Sequence, residues 1–287
     1  MRKIAAKKIR DSVARLCVQA NVELREDVLA ALKAAVRRET SSRARKILQA
    51  IIENAAVARR ERLAICQDTG MPMVFVELGQ EVRITGDLQQ AIQQGVARGY
   101  RKAYLRNSII KDPLARGKPG AYPCVVHIDV VRGNRLKLKL LPKGFGCENK
   151  SQLKMFLPTA KLEEIKRFVI EAVKSAGPDA CPPYVVGVGI GGTADYAALL
   201  AKKALLKSIN RPTLPVRQAG GQPANRQTTL EWALLSSINK LNIGPMGLGG
   251  KTTALAVNSM MYPTHIAGLP VAVNISCHAL RSAQTVL

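Results

Sequence analysis

The sequence predicts an α/β fold in which a helical amino-terminal part, residues 1–64, is joined to a mixed sheet with flanking helices, residues 65–287. In the first part Ala, Leu, Val and Ile recur three and four positions apart between charged residues, which is the period of an amphipathic helix. In the second part short apolar or alternating runs, typical of strands, are interleaved with further helical segments. Because neither a long linker nor an internal repeat divides the chain, we expect residues 1–287 to form one domain.

The first strands and helices of the second part follow from local signals. A turn at 69–72 precedes a strand with the sequence MVFVEL, and Asp87 is placed to cap the helix that follows. The run VVHIDVVRGNRLKLKLLPKG predicts a hairpin that turns at 132–134. Its second half alternates Leu with Lys, which indicates one buried and one solvated face.

The later elements are predicted in the same way. The segment TAKLEEIKRFVIEAVKSAGP indicates a helix that Gly177 and Pro178 end. The segment PPYVVGVGIGG indicates a buried strand that enters a glycine-rich turn, and TADYAALLAKKALLKSI indicates a helix that leaves the turn. A further helix is expected over TTLEWALLSSINKLNI.

The composition is that of a folded protein outside the membrane. Hydrophobic residues make up 47% of the chain and charged residues 22%. No apolar run approaches the roughly 20 residues that span a bilayer, and the amino terminus has basic residues but no continuous apolar segment of a secretory signal. We therefore expect a cytoplasmic protein without a membrane partner.

The net charge of +24 indicates a nucleic acid, an acidic partner or an anionic substrate as a binding partner. The Lys and Arg residues are spread along the chain, and aromatic residues, only 4% of the total, are not interleaved with them. The stacking surface of a single-strand binder is therefore missing. Solvated faces and an acidic partner subunit are the favoured interpretation, and a basic nucleic-acid-binding protein is a distant alternative.

The stretch GPMGLGGKTT, residues 244–253, looks like a phosphate-binding P-loop. The P-loop template requires a glycine where Pro245 stands, and it requires a preceding strand where a helix is predicted. A P-loop-like nucleotide binder is therefore a second distant alternative, which would require a role for Lys251.

A second glycine motif, G-x-G-x-x-G, occurs at 187–192 between a predicted strand and a predicted helix. The acidic residue that would hold a ribose about 20 residues later is absent, so a dinucleotide site is disfavoured. The glycines still predict a close approach of the backbone to a neighbour, and the following helix amino terminus favours an anion such as a carboxylate.

Six cysteines occur, at positions 17, 66, 124, 147, 181 and 277, and none forms a C-x-x-C pair. A disulfide framework is not expected in an intracellular chain of this size, and a small buried hydrophobic residue is the default role for each cysteine. Cys66, Cys181 and Cys277 differ from this default because they adjoin turns, where functional residues are concentrated. Their irregular spacing is by itself a weak metal signal.

Five ordered motifs carry a resemblance: ICQDTG, LPKGFGCENKS, ACPPYVVGVGIGGTADYAALLAKKAL, NIGPMGLGGKTTALAV and PTHIAGLPVAVNISCHALR. Together they resemble the iron–sulfur-dependent, class I fumarate hydratases, specifically their alpha subunit or amino-terminal domain. The L(+)-tartrate dehydratase alpha subunit belongs to the same family. The resemblance implies the fold of a class I fumarase amino-terminal domain, and it implies that GPMGLGGKTT shapes a cluster site.

The resemblance implies a [4Fe–4S] cluster held by Cys66, Cys181 and Cys277. Clusters that only carry electrons usually have four thiolate ligands, whereas three ligands leave one iron open to act as a Lewis acid. Cys147 is not counted as a ligand, because many relatives have serine at its position.

The implied reaction is reversible loss of water from a 2-hydroxy dicarboxylate, which needs a base, an acid and fixed donors for two carboxylates. By resemblance, Gln67 and Asp68 contact the substrate, and His265 pairs with Asp68 as the proton donor. Arg106 binds a substrate carboxylate, and the backbone around Gly146 adds hydrogen-bond donors. An Asp–His pair suits this role because imidazole holds a proton near neutral pH and the carboxylate orients it.

The resemblance also implies a partner, since in this family the catalytic base belongs to a beta portion that this chain lacks. We therefore expect the alpha subunit of an enzyme with a separate beta subunit, in an assembly of two alpha and two beta chains. Hydration of fumarate to malate is the first predicted reaction, and dehydration of L(+)-tartrate is the alternative.

Overall fold

The computed structural model describes residues 1–209 and 226–287. These residues form two compact units. The first contains Met1–Arg25, Glu53–Phe145 and Arg281–Leu287, and the second contains Glu26–Ile52 and Gly146–Leu280. That residues 1–287 act as one domain stays a prediction. No helix within the described ranges is long and apolar enough to cross a membrane.

The described residues contain both helices and strands, in agreement with the predicted α/β class. The helices are α1 (Ala6–Val22), α2 (Glu26–Arg38), α3 (Ser42–Glu61), α4 (Leu88–Lys102), α5 (Phe145–Glu148), α6 (Leu162–Ala176), α7 (Ala194–Leu205) and α8 (Arg226–Asn239). The strands are β1 (Arg2–Ala5), β2 (Met71–Gly79), β3 (Val82–Thr85), β4 (Val125–Val131), β5 (Leu136–Lys143), β6 (Gln152–Phe156), β7 (Tyr184–Gly192), β8 (Ala254–Thr264), β9 (Leu269–Ser276) and β10 (Ala283–Val286). The helical amino-terminal part is confirmed by α1, α2 and α3.

The first unit is built on a four-stranded sheet with the order β10–β5–β2–β4, and β1 pairs with β3 in a separate two-stranded sheet. Leu136, Leu138 and Leu140 of β5 are buried in an apolar core that also contains residues of α1 and α4, as the Leu–Lys alternation predicts. Helices α1 and α4 pack closely because α4 presents glycines to α1: a Cβ on Gly99 would lie 2.6 Å from the Cβ of Cys17. Asp87 caps α4 as predicted, accepting a hydrogen bond from the amide of Gln90 (2.8 Å).

The predicted hairpin between β4 and β5 is wrong. Strand β2 lies between them, parallel to β4 and antiparallel to β5. The turn at 132–134 passes around the end of β2, where the amide of Glu81 donates to the carbonyl of Gly133 (3.0 Å) and that of Gly79 donates to Arg135 (2.9 Å). The residue pattern identified both strands and their buried faces, but pairing partners depend on strands that are distant in sequence.

The second unit contains the sheet with the order β6–β9–β7–β8, in which β7 is parallel to β8 and antiparallel to β9. One apolar core holds the inward side chains of β7 and β9 together with those of α6 and α8. Helix α6 ends at Gly177 as predicted, where the backbone takes a φ of 56°.

The glycines at 187–192 lie within β7, so the predicted glycine-rich turn is wrong for them. Gly187 and Gly189 face helix α7: a Cβ would lie 2.1 Å from the carbonyl oxygen of Ala201 and 2.0 Å from that of Ala197, respectively. The predicted close backbone approach is thus confirmed, and the neighbour is a helix. This G-x-G-x-x-G pattern allows helix-to-sheet packing.

This packing gives a stability prediction. We expect Gly189→Ala to destabilise the protein by about 3 kcal/mol or more, because α7 must move away from β7 to admit the methyl group. Urea unfolding followed by circular dichroism measures the change. Gly120→Ala is the matched control, since the nearest heavy atom to its Cβ would be 3.6 Å away; equal losses for the two variants would contradict the packing account.

Candidate active site

The loop that carries Cys66, Gln67 and Asp68 is fixed by hydrogen bonds at both ends. At its start, the amide of Ile65 donates to the carbonyl of buried Asn21 (2.9 Å). At its end, one carboxylate oxygen of Asp68 accepts the amide of Gly70 (2.9 Å), and the other accepts the amide of Phe145 (2.8 Å). The Asp68 carboxylate therefore joins this loop to the segment that follows β5.

The buried phenol of Tyr100 forms hydrogen bonds to the backbone of the same loop. Its hydroxyl donates to the carbonyls of Thr69 (2.7 Å) and Gly70 (3.2 Å). Burial raises the pKa of Tyr100, so the hydroxyl stays protonated and can act as the donor. The hydroxyl of Thr69 in turn donates to the backbone carbonyl of Arg106 (3.0 Å), which fixes the backbone of a predicted substrate-binding residue relative to Asp68.

Two buried cations lie close to this loop. Lys143 and Arg281 are 2% and 3% exposed. The ammonium of Lys143 donates to the carbonyl of Gly144 (3.4 Å). A Cβ on Gly144 would lie 3.3 Å from a carboxylate oxygen of Asp68 and 3.7 Å from a guanidinium nitrogen of Arg281. These positive charges are opposite in sign to Asp68 and to a dicarboxylate substrate.

In the second unit, the backbone around Cys181 is held by three segments. Cys181 has a φ of +57°, which is rare for a residue with a side chain. Its amide donates to the carbonyl of Pro178 (3.1 Å), and its carbonyl accepts from Nδ1 of His278 (3.0 Å). The next carbonyl, that of Pro182, accepts the amide of Met246 (2.8 Å). The structure thus brings Cys181 together with the segment that contains Cys277, the residue before His278.

Met246 belongs to the stretch GPMGLGGKTT, whose amides donate inside the protein. The amide of Gly250 donates to the side chain of Asn242 (3.1 Å), and that of Lys251 donates to the carboxylate of Glu39 (2.9 Å). In a P-loop these amides would point at a phosphate. Here an internal carboxylate accepts the amide of Lys251, so this amide is not available to a phosphate.

Glu39 is 2% exposed and holds one end of this loop. In addition to Lys251, its carboxylate accepts the amides of Thr40 (3.0 Å) and Ser41 (3.1 Å) between α2 and α3. Gly250 lies so close that a Cβ there would be 3.0 Å from the same carboxylate. The sequence alone did not single out Glu39, Tyr100, Lys143 or Arg281, because their partners are distant in the chain.

The six cysteines divide into two groups. Cys66, Cys181 and Cys277 are partly exposed, whereas Cys17, Cys124 and Cys147 are buried. Burial raises the pKa of Cys17, and it raises the pKa of Cys124 to about 11, so both remain thiols near neutral pH. The buried Cys147 donates to the carbonyl of Ala180 (3.2 Å). Since only a thiolate ligates iron, the partly exposed group fits a cluster better than the buried group.

The remaining predicted site residues lie at the surface. Gln67, Arg106 and Gly146 are exposed. His265 is exposed after the end of β8, and its Nδ1 accepts the amide of Ala267 (3.2 Å). Asp68 lies in the first unit and His265 in the second, so their pairing stays a prediction. Within the described ranges, no three His, Cys, Asp or Glu side chains are grouped to hold a metal ion.

Comparison with known proteins identifies similar chains. The family model described as fumarate hydratase (Fumerase) matches residues 10–286. The chain is 40% identical over 284 residues to a Methanocaldococcus jannaschii protein provisionally named L(+)-tartrate dehydratase subunit alpha, with 96% of each chain covered. It is 30% identical over 281 residues to the L(+)-tartrate dehydratase subunit alpha of Escherichia coli K12, covering 96% of this chain and 90% of that protein.

The division of the cysteines predicts their reactivity. In the metal-free protein at pH 8, we expect iodoacetamide to modify Cys66, Cys181 and Cys277 and to leave Cys17 and Cys124 unmodified. At a pKa of about 11, only about one Cys124 in a thousand is a thiolate at this pH. Peptide mass spectrometry measures the extent at each position, and modification of Cys124 as fast as that of Cys66 would contradict the division.

The role of Glu39 predicts a contrast between two variants. We expect Glu39→Ala to destabilise the protein by about 1–3 kcal/mol, because the amide of Lys251 loses its acceptor, and to speed hydrogen exchange of the amides at 244–251. Lys251→Ala keeps that amide and removes an exposed side chain, so its cost is below about 0.5 kcal/mol. Equal stability losses in the two variants would contradict this role of Glu39, and saturable ATP binding that is lost in Lys251→Ala would favour the nucleotide-binding alternative.

Proposed function

Because the chain belongs to the fumarate hydratase family, we propose that it is the alpha subunit of an iron–sulfur hydro-lyase that interconverts fumarate and malate. The observation that carries the proposal is the division of the cysteines. The three that the family resemblance assigns to a cluster, Cys66, Cys181 and Cys277, are the three that are partly exposed. Cluster ligation by these residues is part of the proposal.

The proposed cofactor is a [4Fe–4S] cluster with three thiolate ligands. When bound, such a cluster supplies an iron with an open position, which polarises the substrate hydroxyl and carboxylate as a Lewis acid. The backbone held at Cys181 by Pro178 and His278, and at Pro182 by Met246, supports this assignment, because fixed ligands favour one cluster geometry.

The chain's own residues have proposed roles in binding and proton transfer. Arg106 binds one substrate carboxylate, Gln67 contacts the substrate, and the backbone at Gly146 donates to it. His265 delivers a proton to the departing hydroxyl, and Asp68 orients the imidazole. The two amides that Asp68 accepts limit the rotation of its carboxylate, which suits an orienting role.

The proposed enzyme has a second chain. A beta subunit supplies the base that takes the carbon-bound proton, and the complete enzyme contains two alpha and two beta chains in the cytoplasm. The names of the relatives as alpha subunits support a separate beta subunit. The net charge of +24 suits an acidic face on that subunit and attraction of a dicarboxylate.

L(+)-tartrate is the second candidate substrate, favoured by the names of these relatives. Tartrate and malate share the two carboxylates and the departing hydroxyl, and tartrate has one more hydroxyl. Discrimination between them therefore depends on a hydrogen-bonding partner for the extra hydroxyl.

The proposed function is tested with the anaerobically reconstituted alpha and beta chains. We expect L-malate and fumarate to be interconverted, and the absorbance of fumarate in the ultraviolet measures the rate. Faster dehydration of L(+)-tartrate than of L-malate would favour the second candidate. Absence of both activities from a complex that contains its full complement of iron would contradict the proposal.

Arg106 gives a prediction about substrate binding. We expect Arg106→Gln to raise the KM for fumarate between about tenfold and a hundredfold, because a charge-assisted hydrogen bond to a carboxylate is lost. Iron content should stay unchanged. Arg116→Gln is the control, since Arg116 is also an exposed arginine of the same segment; equal KM values in the two variants would contradict the assignment of Arg106.

A further inference from the structure

The outer strands of the two four-stranded sheets differ in how they are protected against pairing with another chain. The outer strands are β10 and β4 in one sheet and β6 and β8 in the other. Strand β10 has only four residues, β6 carries Lys154, and β8 carries Pro263 and a register irregularity. Short length, lysine, proline and bulges all discourage edge pairing. Strand β4 has none of these features: it has seven residues, VVHIDVV, without Lys, Arg, Pro or Gly.

The open edge of β4 presents both apolar side chains and backbone polar groups. Ile128 and Val130 are 47% and 65% exposed. The carbonyl of Val131 accepts a hydrogen bond from Gln80 (2.9 Å) and so faces β2. Because the amide and carbonyl of one residue point to the same side and alternate along a strand, those of Val126, Ile128 and Val130 point away from β2.

Just before β4 begins, the outward backbone amide and carbonyl are hydrogen-bonded within the protein. The side chain of Gln93 donates to the carbonyl of Cys124 (3.1 Å) and accepts its amide (2.8 Å). No corresponding side chain of the described residues reaches the outward backbone groups of Ile128. The outward backbone groups are therefore bonded within the protein at Cys124, and those along β4 face outward for pairing with another strand.

We propose that β4 pairs antiparallel with β4 of a second copy of this chain, about a two-fold axis at Ile128. Ile128 then lies opposite Ile128 of the second copy, and Val126 lies opposite Val130. All seven residues of each strand are paired, and the outward amides and carbonyls form the ladder. The two sheets join into one, and the apolar face that holds Val74 and Val76 continues across the axis.

The pairing of His127 with Asp129 selects this register among its neighbours. With the axis at Ile128, His127 lies opposite Asp129 of the second copy, and this occurs twice. These are positions without ladder hydrogen bonds, where side chains across the strands are closest. Moving the axis by one residue would set His127 opposite His127 or Asp129 opposite Asp129.

The second copy is favoured over a strand of another protein because β4 is complementary to itself. When two strands with the sequence VVHIDVV pair about the two-fold axis, apolar residues lie opposite apolar residues and His127 lies opposite Asp129. It is also free of Lys and Arg in a chain that has 44 of them, so two copies with a net charge of +24 can meet there with less local repulsion.

Sedimentation velocity of the full-length chain, over a concentration series at about 0.3 M NaCl to screen the net charge, tests the proposal. We expect the wild-type chain to dimerise and Ile128→Lys to remain monomeric. His127→Glu should weaken the dimer at least about tenfold, because it places two carboxylates opposite each other twice. Asp129→Lys should weaken it as well, because it removes the acceptor that faces the His127 imidazole twice. The double variant His127→Glu/Asp129→Lys restores opposite charges and should recover the dimer.

Two controls distinguish loss of strand pairing from the effects of misfolding and of a changed net charge. Circular dichroism of each variant shows whether it is folded, and Glu163→Lys on α6 changes the net charge as much as Asp129→Lys does. Hydrogen exchange of the amides of Val126, Ile128 and Val130 should slow with protein concentration in the wild type.

Several results would overturn the proposal. They are a wild-type chain that is monomeric throughout the series, a dimer that Ile128→Lys leaves intact, and a double variant as weak as the single variants. Loss of beta-subunit binding in Ile128→Lys with unchanged self-association would likewise overturn it, since the edge would then belong to the beta subunit.

Discussion

Carboxylates that accept backbone amides determine the shape of the loops on which both parts of the candidate site depend. In the first unit, Asp68 accepts the amides of Gly70 and Phe145 and so fixes the loop that carries Cys66 and Gln67. In the second unit, Glu39 accepts three amides and holds the loop whose Met246 binds the backbone next to Cys181. An ionised acceptor makes such hydrogen bonds stronger than a neutral one would. The loops that present the candidate cysteines are therefore held by charge as well as by packing.

Glycine residues also determine the structure of both regions, because a residue without a side chain lets the backbone approach another backbone segment or a charged group. Gly189 lets α7 pack directly on β7, and Gly250 leaves room for the carboxylate of Glu39. Both glycines belong to motifs that resemble nucleotide-binding sequences. In this chain both glycines serve internal contacts. A glycine pattern indicates close approach, but it does not identify the group that approaches.

The sequence predicted the features that depend on neighbouring residues. Helical spacing located α4 and α6, Asp87 predicted a cap, and the Leu–Lys alternation predicted the buried face of β5. The pairing of β4 with β2 could not be predicted, because it depends on strands that are about fifty residues apart. The support of the site was missed for the same reason: Glu39 and Lys251, or Asp68 and Phe145, have no pattern that connects them in the sequence. The candidate cysteines were identified by the family resemblance, because the composition alone does not distinguish them from the other three cysteines.

The central claim is that the three partly exposed cysteines bind an iron–sulfur cluster and the three buried ones do not. Anaerobic reconstitution of the chain with iron and sulfide, with serine replacing each cysteine in turn, tests it most directly through iron content and visible absorption. We expect about four irons per chain in the wild type and in Cys17→Ser, Cys124→Ser and Cys147→Ser. We also expect loss of the cluster in Cys66→Ser, Cys181→Ser and Cys277→Ser. A wild-type chain that binds no iron, or a cluster that depends on Cys147 instead of Cys66, would contradict the claim.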